Sequence, residues 1–141
     1  MRTIGPAPAI KHLTACSGAC APETPAPGRS QVVKLIALLK ASPGMSRKEF
    51  ERRWVDEHAP LTLRFPNLKG YRINVAIAEY QEIEGELPYD GTAEMWWDSL
   101  EEMQEDFDSQ AAQVAVADAD EFTVVRTHIF TRETIVLDPG A

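Results

Sequence analysis

The stretch GMSRKEFERRWVDEHAP, residues 44–60, decides the fold. Ser46 carries the hydroxyl of a good helix N-cap, and Glu49 stands three residues later, where the acidic member of a capping box belongs. This pair predicts a helix that begins after Ser46. The rest of the chain can be arranged around that helix, since strand-like segments precede and follow it.

The predicted helix has one aromatic face. Phe50, Trp54 and His58 follow one another at intervals of four residues, so their side chains point the same way. A titratable ring at the foot of an aromatic stripe has two interpretations. In the first, His58 only hydrogen-bonds to the chain reversal at Ala59 and Pro60. In the second, it is a general acid/base at the end of an apolar pocket, because its pKa lies near neutrality.

Composition limits the classes of protein to consider. With 141 residues, 44% of them hydrophobic and 26% charged, the chain has the size and composition of one globular domain. The 22 acidic and 14 basic residues give a net charge of -8, which disfavours nucleic acid and anionic membrane surfaces as partners. The longest apolar run, residues 35–39, is far below the roughly 18 residues of a membrane span. We expect no membrane partner and a cytoplasmic location.

The first part of the chain differs from the rest. Residues 1–31 hold five prolines and the two cysteines, Cys16 and Cys20, with no apolar periodicity. They lack the continuous apolar segment of a signal peptide, so they predict a flexible leader. The domain is then expected to span residues 32–138, and this part has no cysteine for a thiolate metal site or a thiol nucleophile.

Apolar periodicity predicts the elements of that domain. Period-two or short apolar patterns predict strands, and a capped apolar stripe of wider spacing predicts a helix. The predicted elements are a strand over 32–40, the helix after Ser46, strands over 69–78 and 92–97, a helix from Ser99, a further helical piece over 110–118, and one or two strands over 122–137. Residues 79–90 are predicted to be a loop that covers the end of a pocket. The order β-α-β-β-α-β predicts an α+β, ferredoxin-like fold with a four-stranded antiparallel sheet.

In such a fold both helices cover the same face of the sheet. The opposite face would expose apolar residues of the first strand, so we expect it to pair with its copy in a homodimer. Residues 132–137 are predicted to form an arm that reaches across to the partner.

Four segments carry a resemblance to a known family. In chain order they are KLIALLK, GMSRKEFERRWVDEHAP, LKGYRINV and GTAEMWWDSLEEM. Together they resemble the EthD family of the dimeric α+β barrel superfamily. The resemblance implies a cleft between sheet and helices, with His58 and Trp54 at the family's W-x-x-x-H signature and Tyr71 at its second-strand tyrosine. Isomerase-like relatives carry a cysteine near the position of Met95, so this chain cannot use their thiol chemistry.

The function expected from this resemblance is that of a cofactor-independent lyase, isomerase or cyclase. In it, His58 would move a proton on an aromatic or lactone-like substrate and Tyr71 would stabilise an oxyanion. The predicted substrate-binding residues are Phe50, Trp54, Ile73, Met95, Trp97 and His128. Two alternatives stay open, namely a cofactor-free monooxygenase and a non-catalytic protein that binds a hydrophobic small molecule. Plain core packing also stays open for the aromatic and aliphatic residues of the set.

Glu94, Arg126 and His128 are further polar candidates to join His58 in the site. Glu94 has the opposite parity to Met95, which predicts that it lies on the dimer-side face and pairs with Arg126 or Arg72. A place on the dimer-side face is the main interpretation of His128 as well, and its role as a substrate-binding residue is the alternative. The three histidines of the chain lie far apart in sequence, with no matching carboxylate spacing, so no metal site is predicted.

Overall fold

The structure, a computed structural model, describes residues 32–77, 80 and 88–140, so the predicted leader and most of the predicted loop over 79–90 lie outside the described residues. The elements are β1 (Val33–Ala41), α1 (Arg47–Arg52), a π-helical segment (Arg53–His58), α2 (Ala59–Thr62), β2 (Gly70–Val75), β3 (Gly91–Trp97), α3 (Leu100–Phe107), α4 (Gln110–Phe122) and β4 (Thr123–Thr131). No helix in these described ranges combines the length and apolar character that a membrane crossing requires.

The four strands form one antiparallel sheet in the order β2-β3-β1-β4. This arrangement confirms the predicted α+β, ferredoxin-like fold. The period-two pattern of β1 gives the sheet two different faces, because alternate residues such as Leu35 and Leu39 are buried under the helices. Residues that pair across strands share a face, so Met95 and Phe130, both opposite Leu35, also point toward the helices.

The helix that follows β1 begins as predicted. The side chain of Ser46 accepts a hydrogen bond from the backbone N–H of Glu49 at 3.1 Å. The helix then widens over Arg53–His58, where the N–H of Ala59 bonds to the carbonyl of Trp54, five residues back. A regular α-helix would bring the ring of Pro60 against the carbonyl four residues earlier, and Pro60 has no N–H to offer it. The wider turn relieves this conflict and lets the helix continue to Thr62.

The end of the domain differs from its prediction. Phe122, predicted to begin the last strand, is instead the buried last residue of α4. The hydroxyl of Thr123 donates to the carbonyl of Ala119 at 2.7 Å and so closes that helix. β4 ends at Thr131 because its antiparallel partner β1 begins at Val33, and Lys34–Thr131 is the last pair of their ladder. The prediction of strand structure as far as residue 137 is therefore wrong.

Of the two predicted partners of Glu94, Arg126 is wrong, whereas Arg72 lies opposite Glu94 in the register. Glu94 lies on the face of the sheet away from the helices, where its carboxylate is 2.6 Å from the ammonium of Lys34. The hydrogen bond from Lys34 is the largest cause of the lowered pKa of Glu94, and the charge of Arg72 adds to it. Arg126 pairs with Leu39 in the register and lies on the helix side, where it bonds to Asp120. The sequence showed which residues of a strand share a face, but not which of the two faces meets the helices.

Among the glycines that the structure describes, Gly91 is the one where a side chain would disturb the packing most. A Cβ there would lie 2.5 Å from the carbonyl oxygen of Asn74 and 2.8 Å from the ring of Trp54. We expect Gly91→Ala to lower the free energy of unfolding by about 2 kcal/mol, since strand backbone and a buried indole must both move. Urea denaturation measures this loss. Gly70→Ala is the matched control, because its Cβ would meet only the half-buried side chain of Trp96, and a larger loss there would contradict the packing described here.

Candidate functional site

A cavity lies between the helix-side face of the sheet and the helices. Its volume is about 70 Å³, and its apolar walls include Leu35, Ala37 and Ala93 from the sheet and Ala115 from α4. Five polar side chains also line it: His58, Thr62, Tyr71, Arg126 and His128. An apolar chamber with a few converging polar groups is the usual form of a small-molecule site.

His58 is the best-defined of these polar groups. It ends the π-helical segment, is only 8% exposed, and packs against Phe122 with ring centroids 5.2 Å apart. Its Nδ1 lies 2.9 Å from Oδ2 of Asp118, and its Nε2 lies 3.4 Å from Oγ1 of Thr62. Because an ionised carboxylate only accepts hydrogen bonds, the proton of the neutral ring belongs on Nδ1. Nε2 then offers a lone pair on the cavity side.

Asp118 is held in place by an arginine. Arg53 donates to both carboxylate oxygens of Asp118, at 3.0 and 2.6 Å. This charge-assisted pair is the main cause of the lowered pKa of Asp118, and the hydrogen bond from His58 adds to it. Asp118 therefore stays ionised at neutral pH and keeps one orientation toward the ring.

The environment keeps His58 neutral as well. Burial is the largest cause of its lowered pKa, since it disfavours the charged ring. The hydrogen bond and charge of Asp118 act in the opposite direction, while the positive charges of Arg53 and Arg126 lower the pKa further. The net direction is downward, so the ring is neutral at pH 7 and able to accept a proton.

Tyr71 supplies a hydroxyl on the sheet side of the same cavity. It lies on β2 opposite Met95, and its oxygen accepts a hydrogen bond of 3.2 Å from the indole N–H of Trp54. Burial raises the pKa of Tyr71, against smaller lowering effects of its bonds with Trp54 and Thr62. The phenol thus keeps its proton at neutral pH and can donate it to an oxygen atom.

The predicted site residues divide into two groups. Five of them line the cavity: His58, Tyr71, Trp54, Met95 and His128. Phe50, Ile73 and Trp97 lie outside its lining. Phe50 is fully buried between Trp54 and Phe122, and the indole N–H of Trp97 donates to Asp106 at 2.7 Å.

The two groups have different physical roles. Phe50 and Trp97 are fully buried parts of the core, and Ile73 packs at the edge of the core cluster around Trp54. We assign none of these three a binding role. His128 pairs with Ala37 in the register and so lies on the helix side, which corrects its expected place on the opposite face.

Three site residues were missed from the sequence: Asp118, Arg53 and Thr62. Asp118 is 60 positions from its histidine partner, and no local pattern indicates such a pairing. Arg53 lies outside the aromatic stripe of its helix and so was not a candidate, yet its side chain is only 13% exposed because it packs over Phe122 and binds Asp118. Thr62 follows His58 by four residues, so helical spacing was the one signal that pointed to it.

The described residues include no cluster of three or more His, Cys, Asp or Glu side chains arranged to hold a metal ion. The polar groups of the cavity can nevertheless carry out proton chemistry. A neutral imidazole oriented by a carboxylate is a suitable base, and a phenol on the facing wall is a suitable donor to a developing negative charge.

Comparison with known families identifies the class of protein. The EthD domain model matches residues 42–125, which is more than half of the chain. The chain belongs to the EthD family, as the resemblance of its sequence segments indicated. No curated protein was found to match it.

Solved structures extend the comparison. An EthD family protein from Bacillus halodurans C-125 is 26% identical, with a TM-score of 0.62 over 73% of this chain and 99% of the other. A dimeric protein of unknown function and ferredoxin-like fold from Bacteroides fragilis is 12% identical, with a TM-score of 0.58 over 74% and 99%. A hydroxynitrile lyase from Passiflora edulis is also 12% identical, with a TM-score of 0.61 over 77% and 99%. The last two likenesses show the fold alone.

Proposed function

We propose that this protein is a cofactor-independent enzyme of the lyase, isomerase or cyclase type that moves a proton on a small, largely apolar substrate. The observation that carries the proposal is the orientation of His58, whose Nδ1 is fixed by Asp118 at 2.9 Å while the ring lines an apolar cavity. A histidine with only a structural role needs no such cavity beside it. The hydroxynitrile lyase with the same fold gives a precedent for lyase chemistry on this scaffold.

The chemical step follows from the groups at hand. His58 accepts a proton from a hydroxyl group or from carbon next to a carbonyl, and its positive charge is stabilised by Asp118. The electrons of the broken bond move onto the substrate oxygen, where the phenol of Tyr71 stabilises the negative charge. Return of the proton from His58 to another atom of the substrate gives an isomer. In a lyase reaction, the bond to a leaving group breaks as the charge on the oxygen collapses, and the departing anion takes the proton back from His58.

The size of the cavity limits the substrate. A volume of about 70 Å³ is roughly half of a cavity that holds benzene, which measures about 150 Å³. The reacting group must therefore be small, and a whole aromatic ring fits only if part of it lies at the mouth. His128 and Val116 line the cavity and are themselves exposed, so they mark its opening to solvent.

A small panel of probes tests the proposal. Acetylacetone reports proton removal through deuterium uptake, α-angelica lactone reports isomerisation, and acetone cyanohydrin reports cleavage, all by proton NMR. We expect the native protein to turn over at least one probe and His58→Ala to lose at least about 10²-fold of that rate. Binding of the same probe should change little, since the variant keeps the apolar walls of the cavity.

The outcomes separate the enzyme from the binding protein. Turnover that disappears while affinity survives supports catalysis by His58. Affinity without turnover in either form would show that the cavity belongs to a non-catalytic binding protein. The control is His128→Ala, which alters a ring at the mouth and leaves the Asp118 pair intact.

We further propose that the protein is a homodimer in which the face of the sheet away from the helices packs against its copy. Ile36 and Ile129 form a cross-strand pair on this face, and Ile129 is 49% exposed. Val125 on the same face is 43% exposed. The Bacteroides fragilis protein with this fold is dimeric, which supports the assignment of a second copy to the face.

A lysine in that face should separate the subunits. We expect Ile129→Lys to shift the mass in sedimentation equilibrium from dimer to monomer, because the charge would be buried against the partner. Val114→Lys is the matched control, since Val114 is 41% exposed but lies on α4. A monomeric native protein, or a dimer that Ile129→Lys leaves intact, would overturn the proposed interface.

A further inference from the structure

The indole of Trp54 meets the phenol of Tyr71 at the wall of the cavity. Both side chains line the cavity, and the indole N–H donates to the Tyr71 oxygen at 3.2 Å. Trp54 is completely buried, so water does not compete for this N–H. Any effect of Trp54 on the phenol therefore reaches the group that the proposed function places against the oxyanion.

Packing holds the Trp54 ring in one orientation. The ring lies against Phe50, with centroids 5.3 Å apart. The outer edge of its six-membered ring faces the start of β3, where a Cβ on Gly91 would lie only 2.8 Å from Cζ3 of the indole. The indole already fills the space that a side chain would take there, so its N–H keeps its direction toward Tyr71.

The direction of this hydrogen bond decides where the phenol hydrogen goes. An indole N–H can only donate, so the Tyr71 oxygen accepts from Trp54 and its own hydrogen is turned toward another acceptor. A substrate oxygen in the cavity is such an acceptor, because the Tyr71 side chain lines the cavity wall. A phenol that accepts a hydrogen bond also donates more strongly, since hydrogen bonds in a chain polarise one another.

We propose that Trp54 is a positioning residue, whose indole N–H directs the hydrogen of Tyr71 toward the substrate oxygen and strengthens its bond to the developing oxyanion. This role rests on the proposed function and adds the group that prepares Tyr71 for its task. Trp54 keeps its own hydrogen throughout the reaction. The substrate proton still goes to His58 alone, and the phenol stabilises the negative charge as a hydrogen-bond donor.

A second buried indole shows the arrangement expected of a structural role. Trp97 is also completely buried, but its N–H donates to the carboxylate of Asp106 at 2.7 Å. A bond to a charged acceptor is shorter and stronger than one to a neutral hydroxyl, so this pair stabilises the fold more. The bond from Trp54 is longer and ends on a phenol in the cavity, where it changes the properties of that phenol.

Kinetics of single and double variants test the role of Trp54. Trp54→Phe removes the N–H and should lower kcat for the active probe about tenfold, whereas Tyr71→Phe removes the donor itself and should lower kcat about 10²-fold. Because Trp54 acts through the phenol, Trp54→Phe should lower kcat no further once Tyr71→Phe is in place. A tenfold loss that persists in the Tyr71→Phe background would overturn the proposal.

Two controls separate the N–H from the bulk of the ring. Benzothiophene in place of the Trp54 indole, introduced as an unnatural amino acid, keeps the shape of the ring without the N–H. It should reproduce the loss of kcat with little change in KM, even if Trp54→Phe does not fold, and full activity would overturn the proposal. Trp97→Phe is the matched variant outside the cavity and should leave kcat unchanged.

The titration of Tyr71 gives a readout that needs no turnover. Burial has the largest influence on the pKa of Tyr71 and raises it, whereas the bond from Trp54 lowers it. Loss of the indole N–H in the benzothiophene variant should therefore raise the pKa further, as measured by carbon-13 NMR of labelled tyrosine. An unchanged pKa would overturn the proposal.

Failure of this proposal can be told from failure of the proposed function. If His58→Ala loses turnover while both Trp54 variants keep it, only the positioning role of Trp54 is overturned. If the native protein turns over no probe, the proposed function is overturned and the catalytic role of Trp54 with it, whatever the titration of Tyr71 shows.

Discussion

Asp118→Asn should lower kcat/KM of the active probe by roughly 10²- to 10⁴-fold, the effect of neutralising the carboxylate that orients a catalytic histidine. Asn is close to Asp in shape, so the ring keeps its packing against Phe122. The His58 ring, however, loses the neighbouring negative charge that stabilises its imidazolium form and fixes its proton on Nδ1. Steady-state kinetics measures the loss, which should fall mainly on kcat.

The control for this variant must account for Arg53, which also loses a partner. Arg53 bonds to Glu57 at 2.9 Å and to Glu121 at 3.3 Å as well, so it is not left alone. Glu121→Gln removes one of these weaker partners without touching His58 and should leave kcat unchanged. If kcat fell as far for Glu121→Gln as for Asp118→Asn, the loss would come from disturbing the ion pairs of Arg53. The carboxylate beside His58 would then have no special role in catalysis.

Asp106→Ala is the substitution with the largest expected effect on stability. Asp106 is completely buried and accepts hydrogen bonds from the indole of Trp97 at 2.7 Å and from the backbone N–H of Asn67 at 3.1 Å. It thereby ties α3 to β3 and to the segment before β2. Its removal leaves buried donors without an acceptor, so we expect a loss of about 3–5 kcal/mol and a fall in Tm of roughly 10 °C.

Two comparisons make the Asp106 result specific. Trp97→Phe removes one donor and leaves the carboxylate with Asn67, so its loss should be smaller than that of Asp106→Ala. Asp108→Ala, two positions away on the exposed surface, should change the unfolding free energy by no more than about 0.5 kcal/mol. A loss below about 1 kcal/mol for Asp106→Ala would contradict the role given to this carboxylate.

Local signals in the sequence were sufficient to predict the fold. The capping pair of Ser46 and Glu49 located the first helix, and period-two alternation located β2 and β3 within two or three residues. The element order then left the ferredoxin-like arrangement as the simple solution. Predictions of element boundaries were wrong where tertiary contacts decide the boundary. One example is Thr131, where β4 ends together with its ladder to β1.

The site was only partly predictable, since alternation identifies residues that share a face without saying what covers it. Arg126 and His128 were therefore expected on the dimer side, although they line the cavity. Trp97 was predicted to bind substrate, with core packing as the alternative, and its buried indole N–H instead donates to Asp106. The Asp118 pairing depends on how α4 packs against the π-helical segment, which no local pattern encodes.

The central claim is that His58 presents a neutral Nε2 to the cavity while Asp118 holds the proton on Nδ1. Nitrogen-15 NMR of the imidazole, recorded across pH 4 to 9, measures both features. We expect a ring that is neutral at pH 7, with hydrogen on Nδ1 and a pKa below the ordinary value of about 6.5, because burial disfavours the imidazolium. A ring that is protonated at pH 7, or that carries its hydrogen on Nε2, would contradict the account.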